Sequence, residues 1–180
     1  MVTEVTHWGG AVLYTVGHSA RPLEEFLSTL QGFKVTILAD LRKMPRSRHN
    51  PQFNGDTLAA ALRERGIRYV HLEGLTGLRH PRADSPNLGW RNESFRGFAD
   101  HMLSQAFEDE LEVVHQLTHE GTVALMCAEA VPWRCHRSLV ADALVARGAY
   151  VEDVIGPYAS PHRLTSFAKV KDGRVTYPPA

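Results

Sequence analysis

The chain has 180 residues, with 20 basic and 20 acidic side chains and therefore no formal net charge at neutral pH. This length suits one domain with a hydrophobic core, and 43% apolar residues is ordinary for a globular protein. A zero net charge argues against a general attraction to polyanions. Because the chain has no run of eighteen apolar residues and no signal-like N-terminus, we expect a cytoplasmic protein without a membrane partner.

Charge is nevertheless unevenly distributed along the chain. Residues 97–133 contain no Lys or Arg, whereas residues 41–54 hold a cluster of arginines, and arginine outnumbers lysine sixteen to four overall. The planar guanidinium group binds phosphate or carboxylate with paired hydrogen bonds. The residues that we predict to bind phosphate or another anion are Arg42, Arg46, Arg48 and Arg137. The alternative is a solvated basic loop that pairs with the acidic residues 108–112.

Hydrophobic patterns predict five strands that alternate with helices. The predicted strands are residues 11–16, 35–40, 67–72, 122–126 and 150–155. The predicted helices are residues 20–32, with Ser19 as a cap, and residues 56–66, 95–103, 107–117 and 134–147. Such alternation is typical of a three-layer α/β fold. We therefore predict a mainly parallel, five-stranded sheet with helices on both faces, as in Rossmann-like or flavodoxin-like proteins.

The whole chain, residues 1–180, is predicted to form a single α/β domain. Residues 1–10 are expected to be a loose lead-in. The Pro-rich tail, residues 156–180, is expected to pack on the domain and to include a short hairpin around residues 171–174. Residues 73–92 form the longest irregular stretch, and loops of that length in a compact domain are usually functional or mobile.

Polar residues follow four of the predicted strands. Right-handed crossovers between parallel strands place all the loops that follow strands at one edge of the sheet. The residues that this topology brings to one edge are His18, Asp40, His71 and Cys127. The sequence therefore predicts a site at that edge.

The loop after the fourth strand, residues 127–137, holds both cysteines of the chain. Cys135 lies near the predicted start of the last helix beside basic residues, and a helix N-terminus and positive neighbours lower the pKa of a thiol. Cys127, at the end of the strand, is expected to be buried and inert. The predicted catalytic residues are His18, Glu129 and Cys135.

Two familiar signatures fit this loop poorly. The phosphatase signature needs a closer spacing than the six residues between Cys127 and Arg134, and it needs a glycine-rich loop that is missing here. A zinc site made of Cys127, Cys135, His136 and His18 stays an alternative because thiolate and imidazole are zinc ligands. The spacing of the two cysteines is unusual for such a site, so we predict no cofactor.

Aromatic side chains occur near arginines in two further places. Stacking rings combined with guanidinium groups suit ligands that carry both phosphates and bases. The residues that we predict to stack on a substrate or to support the site are Asp40, Trp90, Arg91, Asn92, Trp133 and His136.

With these residues assembled, the chain resembles the Domain of Unknown Function family 488. The resemblance spans nearly the whole chain, in residues 15–19, 40–42, 45–54, 66–72, 90–92, 95–100, 126–137, 164–168 and 176–178. The most specific motif is Cys-Ala-Glu…Cys-His-Arg, which runs from Cys127 to Arg137. The resemblance implies an α/β domain in which the polar motifs are a shared signature, and it implies no particular reaction.

Three interpretations of function remain open. The first is an enzyme that acts on a phosphate-bearing substrate, either a nucleotide or a nucleic acid, with base processing or repair of DNA as one form of that chemistry. The second is a metal or redox centre built from the cysteines and histidines. The third is a non-catalytic module whose arginines bind an anion or an acidic protein. The oligomeric state is not determined by any of these patterns.

Overall fold

A computed structural model describes residues 5–180 of the chain. The main sheet contains β1 (Val12–Gly17), β2 (Ile37–Asp40), β3 (Arg68–His71), β4 (Val123–Cys127), β5 (Tyr150–Ile155) and β6 (Tyr158–Pro161). The helices are α1 (Leu23–Gly32), α2 (Gly55–Glu64), α3 (Glu93–His101), α4 (Gln105–Glu120) and α5 (Arg137–Ala146). A separate hairpin consists of β7 (Lys169–Lys171) and β8 (Arg174–Thr176). Within residues 5–180, no helix is long and apolar enough to cross a membrane.

The predicted α/β fold with a mainly parallel sheet is confirmed. The strand order is β3-β2-β4-β1-β5-β6, and every pair is parallel except β5 with β6. In Rossmann-like and flavodoxin-like sheets the first two strands are neighbours, whereas here β4 lies between β1 and β2. This order places the end of β4, at Cys127, in the middle of the edge where the strand-to-helix loops gather.

The prediction of five strands missed β6. This strand has four residues, lies at the edge of the sheet and lacks an alternating apolar pattern, so hydrophobicity does not reveal it. Its Pro161 is compatible with an edge position, where a missing N–H interrupts no ladder. The two residues Gly156-Pro157 connect it to β5, and Gly156 has a φ of +59° that favours glycine in such a turn.

The core lies on both faces of the sheet. In β4, Val123 and Leu125 pack towards α3, α4 and α5, whereas Ala124 and Met126 pack towards α1 and α2. All five residues of β4 are buried, which explains why its sequence is continuously apolar rather than alternating. The result is the expected three-layer arrangement, with helices on both faces.

Two predicted helix starts differ from the observed ones. Ser19 has a φ of +55° and does not cap α1, which follows Pro22 instead. The helix α5 begins at Arg137, three residues later than predicted. Residues Pro132–Arg134 form a short 3-10 turn, and Cys135 is extended with φ −137° and ψ 146°. Cys135 therefore precedes α5 and is not part of the helix.

The two ends of the described chain pack on the domain. Of the predicted loose lead-in, residues 1–4 lie outside the described residues. Trp8, in contrast, is buried with 2% exposure, and its N–H donates to the carbonyl of Arg147. In the C-terminal tail, Tyr177 is fully buried and its hydroxyl donates to Asp142 at 2.7 Å. The tail covers the outer side of α5, so this helix is buried on almost every side.

A buried ionic network attaches the tail to the domain. His162 lies between two carboxylates, with Nδ1 2.7 Å from Asp153 and Nε2 2.8 Å from Asp142. Burial alone would lower the pKa of His162, but the hydrogen bonds to Asp142 and Asp153 outweigh it and raise the pKa to about 9. His162 is therefore a cation at neutral pH.

This network predicts that the protein is less stable in alkaline solution. Because the pKa of His162 is higher in the folded state, its contribution is fully present below its ordinary pKa of 6.5 and is lost as pH rises towards 9. The shift corresponds to a loss on the order of 3 kcal/mol. Urea denaturation at pH 6 to pH 10 measures this loss. In His162→Gln, the free energy of unfolding is expected to depend less on pH than in the wild type. An equally strong pH dependence in that variant would assign the effect to another group.

Candidate functional site

The ends of β1, β2 and β4 open into a cleft of about 830 Å³. The register places Gly17 beside Cys127 and Asp40 beside Met126, so the loops that leave these strands are neighbours. Residues of the long irregular stretch, together with Ser94 and Phe95 of α3, form the opposite wall. The cleft thus lies at the sheet edge where the topology predicted a site.

The predicted site residues fall into three groups. Those that line the cleft are His18, Arg42, Arg46, Cys127, Glu129, Cys135 and His136. Asp40 and Arg137 are fully buried beneath them and make contacts with residues of the lining. The remaining predicted residues, Arg48, Trp90, Arg91, Asn92 and Trp133, are outside the lining of the cleft.

Cys127 is buried at the end of β4, as predicted, but its surroundings argue against the predicted inertness. The guanidinium Nη1 of Arg137 lies 2.7 Å from Cys127 Sγ, and the arginine is fully buried. Burial alone would raise the pKa of the Cys127 thiol. The neighbouring Cys135 thiol and the charge and hydrogen bond of Arg137 outweigh burial and lower that pKa to about 7. Cys127 therefore ionises more readily than an ordinary cysteine.

The predicted lowering of the pKa of Cys135 is wrong. The neighbouring Cys127 and burial both raise the pKa, so Cys135 stays a neutral thiol. Arg137 donates its backbone N–H to Cys135 Sγ at 3.5 Å, but its guanidinium is directed at Cys127. Cys127 is therefore the thiol of the pair that ionises first.

Arg137 also fixes the shape of the loop that follows Cys127. Its Nη1 donates to the carbonyl of Glu129 at 2.5 Å, its Nη2 to the carbonyl of Ala130 at 3.3 Å, and its Nε to Thr15 Oγ1 at 3.4 Å. Thr15 in turn donates to Asp153 at 2.5 Å. Arg137 was predicted to bind phosphate, but most of its donors face the thiolate and the loop carbonyls.

Gly17 allows this loop to approach β1. A Cβ atom at Gly17 would lie 1.6 Å from the carbonyl oxygen of Glu129, which is a backbone atom that cannot move independently. We predict that Gly17→Ala displaces the loop and weakens its contact with Arg137, with a loss on the order of 2 kcal/mol or more. Gly32→Ala is the matched control, because nothing lies within 4 Å of its Cβ position. Urea denaturation compares the two, and equal midpoints would contradict this role of Gly17.

His18 and Asp40 hold Arg42 in place. Arg42 donates to both carboxylate oxygens of Asp40, at 2.8 to 3.2 Å, and to the carbonyl of Phe53 at 2.8 Å. Nδ1 of His18 lies 2.7 Å from the carbonyl of Ser19 and must donate to it, so Nε2 accepts from Arg42 Nη1 at 3.3 Å. Burial and the charge of Arg42 lower the pKa of His18. The ring is therefore neutral, and its one basic nitrogen is already occupied.

His136 is likewise occupied by the surrounding structure. Its Nε2 donates to the carbonyl of Leu75 at 2.8 Å, and burial lowers its pKa to about 4. The free Nδ1 lies 3.6 Å from Cys135 Sγ. Among residues 5–180, no group of three or more His, Cys, Asp or Glu side chains is arranged to hold a metal ion. The alternative zinc set is thus not clustered as ligands would be.

The rim of the cleft is charged. Lys43, Arg46 and Arg134 are exposed cations of the lining, and Glu129 is an exposed carboxylate. Arg48 belongs to the same loop as Arg46 but lies outside the lining. The cleft thus combines a cationic rim with an ionisable thiol at its floor.

The two predicted stacking tryptophans lie elsewhere. Trp90 and Trp133 line a second cavity of about 700 Å³, and Trp90 packs against Phe95, Phe167 and Tyr177. The side chain of Asn92 accepts from the N–H of Phe95 and caps α3. Arg91 is exposed. Trp90 and Asn92 thus support α3, and none of the four residues lines the cleft that holds the thiols.

Sequence reasoning missed the pair formed by Cys127 and Arg137. Two features of the sequence could have revealed this pair: Cys127 lies directly at the end of a buried strand, and an arginine lies in the first turn of the next helix. The family described as Domain of unknown function DUF488 matches residues 22–144, which include this pair. No curated protein and no solved structure matches the chain. Because the matched segment covers most of the chain, the protein belongs to the DUF488 family, as its motifs indicated.

Proposed function

We propose that the protein is an enzyme that acts on a phosphate-bearing substrate, a nucleotide or a nucleic acid, with Cys127 as the nucleophile. The observation that carries this proposal is the contact between Cys127 Sγ and the buried guanidinium of Arg137 at the floor of the cleft. A thiolate is a strong nucleophile, and a cation beside it is the usual means of forming one near neutral pH. The cationic residues on the rim of the cleft are a further argument for an anionic substrate.

The proposed reaction proceeds in two steps. The thiolate of Cys127 attacks phosphorus, the bond to the leaving oxygen breaks, and that oxygen takes a proton from water at the open side of the cleft. Water then attacks phosphorus, releases phosphate and restores the thiolate, with Glu129 accepting the proton. Lys43, Arg46 and Arg134 bind the phosphate oxygens, because the arginine beneath them is engaged with the loop.

Phosphate chemistry is better supported than base processing. Base processing needs an aromatic platform beside the reactive group, and the two tryptophans predicted for that task line another cavity. Both cysteines are free thiols, which fits the reducing cytoplasm that we propose as the location of the protein.

The proposal is tested by hydrolysis of para-nitrophenyl phosphate and nucleotides, and by binding of labelled oligonucleotides over a salt series. Cys127→Ser is expected to abolish turnover, whereas Cys135→Ser retains it. Arg46→Ala is expected to weaken binding of an anionic substrate several-fold and to reduce its salt dependence, whereas Arg48→Ala, on the same loop, changes neither. Equal turnover by Cys127→Ser and the wild type, or binding that does not respond to salt, would contradict the proposal.

A further inference from the structure

Cys127 and Cys135 are neighbours that share one arginine. Arg137 donates its Nη1 to Cys127 Sγ at 2.7 Å and its backbone N–H to Cys135 Sγ at 3.5 Å. The two thiols also influence each other's ionisation: Cys127 raises the pKa of Cys135, and Cys135 lowers that of Cys127. Both side chains line the cleft, so a small solute can reach them. Hydrolysis of a phosphate ester needs one thiolate, and the proposed reaction leaves Cys135 without a task.

We propose that the pair is a site of reversible oxidation, in which a hydroperoxide oxidises Cys127 and Cys135 then closes a disulfide with it. The inference rests on the Cys127 nucleophile of the proposed function, since the same ionised sulfur attacks the peroxide. It deepens that function by adding a regulation of the same cleft. It does not depend on which substrate the cleft binds.

The chemistry is balanced with hydroperoxide as the oxidant. The Cys127 thiolate attacks one peroxide oxygen, the O–O bond breaks, and the products are Cys127 sulfenic acid and hydroxide, or an alkoxide from an organic peroxide. The Cys135 sulfur then attacks the sulfur of the sulfenic acid, the S–O bond breaks, and the hydroxyl leaves as water with the proton of the Cys135 thiol. Two electrons pass from the two sulfurs to the peroxide.

The geometry sets the order of these steps. Arg137 directs its guanidinium at Cys127 and only its backbone N–H at Cys135, so Cys127 is the thiol that ionises first, and its negative charge raises the pKa of Cys135. Oxidation of Cys127 removes that negative charge and therefore removes the main reason for the neutrality of Cys135. The backbone N–H and the charge of Arg137 then favour the ionised form of Cys135, whose proton leaves with the hydroxyl of the sulfenic acid as water. The second thiol thus becomes reactive only after the first is oxidised.

The disulfide would remove the Cys127 nucleophile without unfolding the protein. Arg137 would lose its anionic partner but would keep the carbonyls of Glu129 and Ala130. Cys135 is extended and lies between a 3-10 turn and α5, outside regular structure. Ala128 and Glu129, in the intervening loop, are exposed, so the loop can adjust to the new bond.

The experiment uses the full chain, which is reduced, desalted and treated with an equimolar amount of hydrogen peroxide near neutral pH. Remaining thiols are blocked with N-ethylmaleimide, and peptides are mapped by mass spectrometry. We expect a linked peptide pair that contains Cys127 and Cys135 and that dithiothreitol separates. In Cys135→Ser the oxidation is expected to stop at a sulfenic acid on Cys127, which dimedone traps. In Cys127→Ser, which also lacks the negative charge beside Cys135, no linked peptide is expected, and oxidation of Cys135 is expected to stop at a sulfenic acid that dimedone traps.

Irreversible oxidation of Cys127 in the wild type without a linked peptide would overturn the proposal, as would faster oxidation of Cys135 than of Cys127. A disulfide between two chains, visible on a non-reducing gel, would overturn it as well. Cys135→Ala provides a second variant in case the serine disturbs folding. Because the readout is mass and not turnover, the disulfide can form in a protein that hydrolyses none of the phosphate esters, so failure of either proposal is recognised separately.

Discussion

Arg137→Met is expected to lower the free energy of unfolding by about 3–5 kcal/mol and to return the pKa of Cys127 towards its ordinary value of 9.0. Methionine keeps an unbranched, buried side chain but removes all the donors of the guanidinium. The carbonyls of Glu129 and Ala130, whose hydrogen bonds to Arg137 are partly buried, would then lose their partner. An unpaired buried acceptor costs far more than the net value of the hydrogen bond itself.

The pH dependence separates the thiolate from the other contacts of Arg137. The folded pKa of Cys127 is below its unfolded value, so the stabilisation is present above pH 9 and is lost as pH falls through about 7. The difference in unfolding free energy between the wild type and Arg137→Met should therefore widen from pH 6 to pH 9, as measured with urea. Arg134→Met is the matched control on the exposed rim. A difference that is constant with pH would show that Arg137 supports the loop but not the thiolate.

Asp142→Ala is expected to destabilise the protein by a similar amount, about 3–5 kcal/mol, and to release the C-terminal tail. Asp142 is fully buried and accepts from His162, from the hydroxyl of Tyr177 and from the N–H of Thr165. Its removal leaves the His162 cation with Asp153 as its remaining carboxylate. We expect faster amide hydrogen exchange in residues 158–180, because these residues lose their attachment to α5.

A single hydrogen bond of the same network provides the control. Tyr177→Phe removes the hydroxyl that donates to Asp142 but keeps the buried ring, so a smaller loss of about 1–3 kcal/mol is expected. Asp142→Ala should also reduce the alkaline loss of stability, because the pKa of His162 falls when one of its two partners is removed. Unchanged exchange in the tail, combined with normal stability, would show that the tail is held by apolar contacts alone.

The fold was largely predictable because its signals are local. The strands β1, β2 and β4 are short, mainly apolar runs between turn residues, and β4, buried on both faces, is the clearest example. The edge strand β6 has no such pattern, since only its pairing with β5 makes it a strand. The position of β4 between β1 and β2 depends on packing over long distances along the chain, which periodicity does not reveal.

The location of the candidate site could be predicted from the sequence, but the roles of its residues could not. Strand ends correctly indicated the edge where His18 and Cys127 meet. The roles of the two cysteines depend on where one guanidinium is directed and on burial, and both are properties of the tertiary structure. The nearest basic neighbours in sequence pointed to Cys135, whereas Arg137 Nη1 contacts Cys127 at 2.7 Å. Similarly, the contacts that occupy His18 come from Arg42 and from the carbonyl of Ser19.

The pH dependence of Cys127 alkylation is the most direct test of whether Arg137 stabilises a thiolate at this residue. The rate of alkylation by iodoacetamide is measured at pH 5 to pH 10, with mass mapping of the modified peptide and with Cys135→Ser as the control for the second thiol. We predict that Cys127 reacts first, with an apparent pKa of about 7 that rises in Arg137→Met. An apparent pKa near 9.0, the ordinary value of a cysteine, or preferential modification of Cys135, would contradict a thiolate held by Arg137.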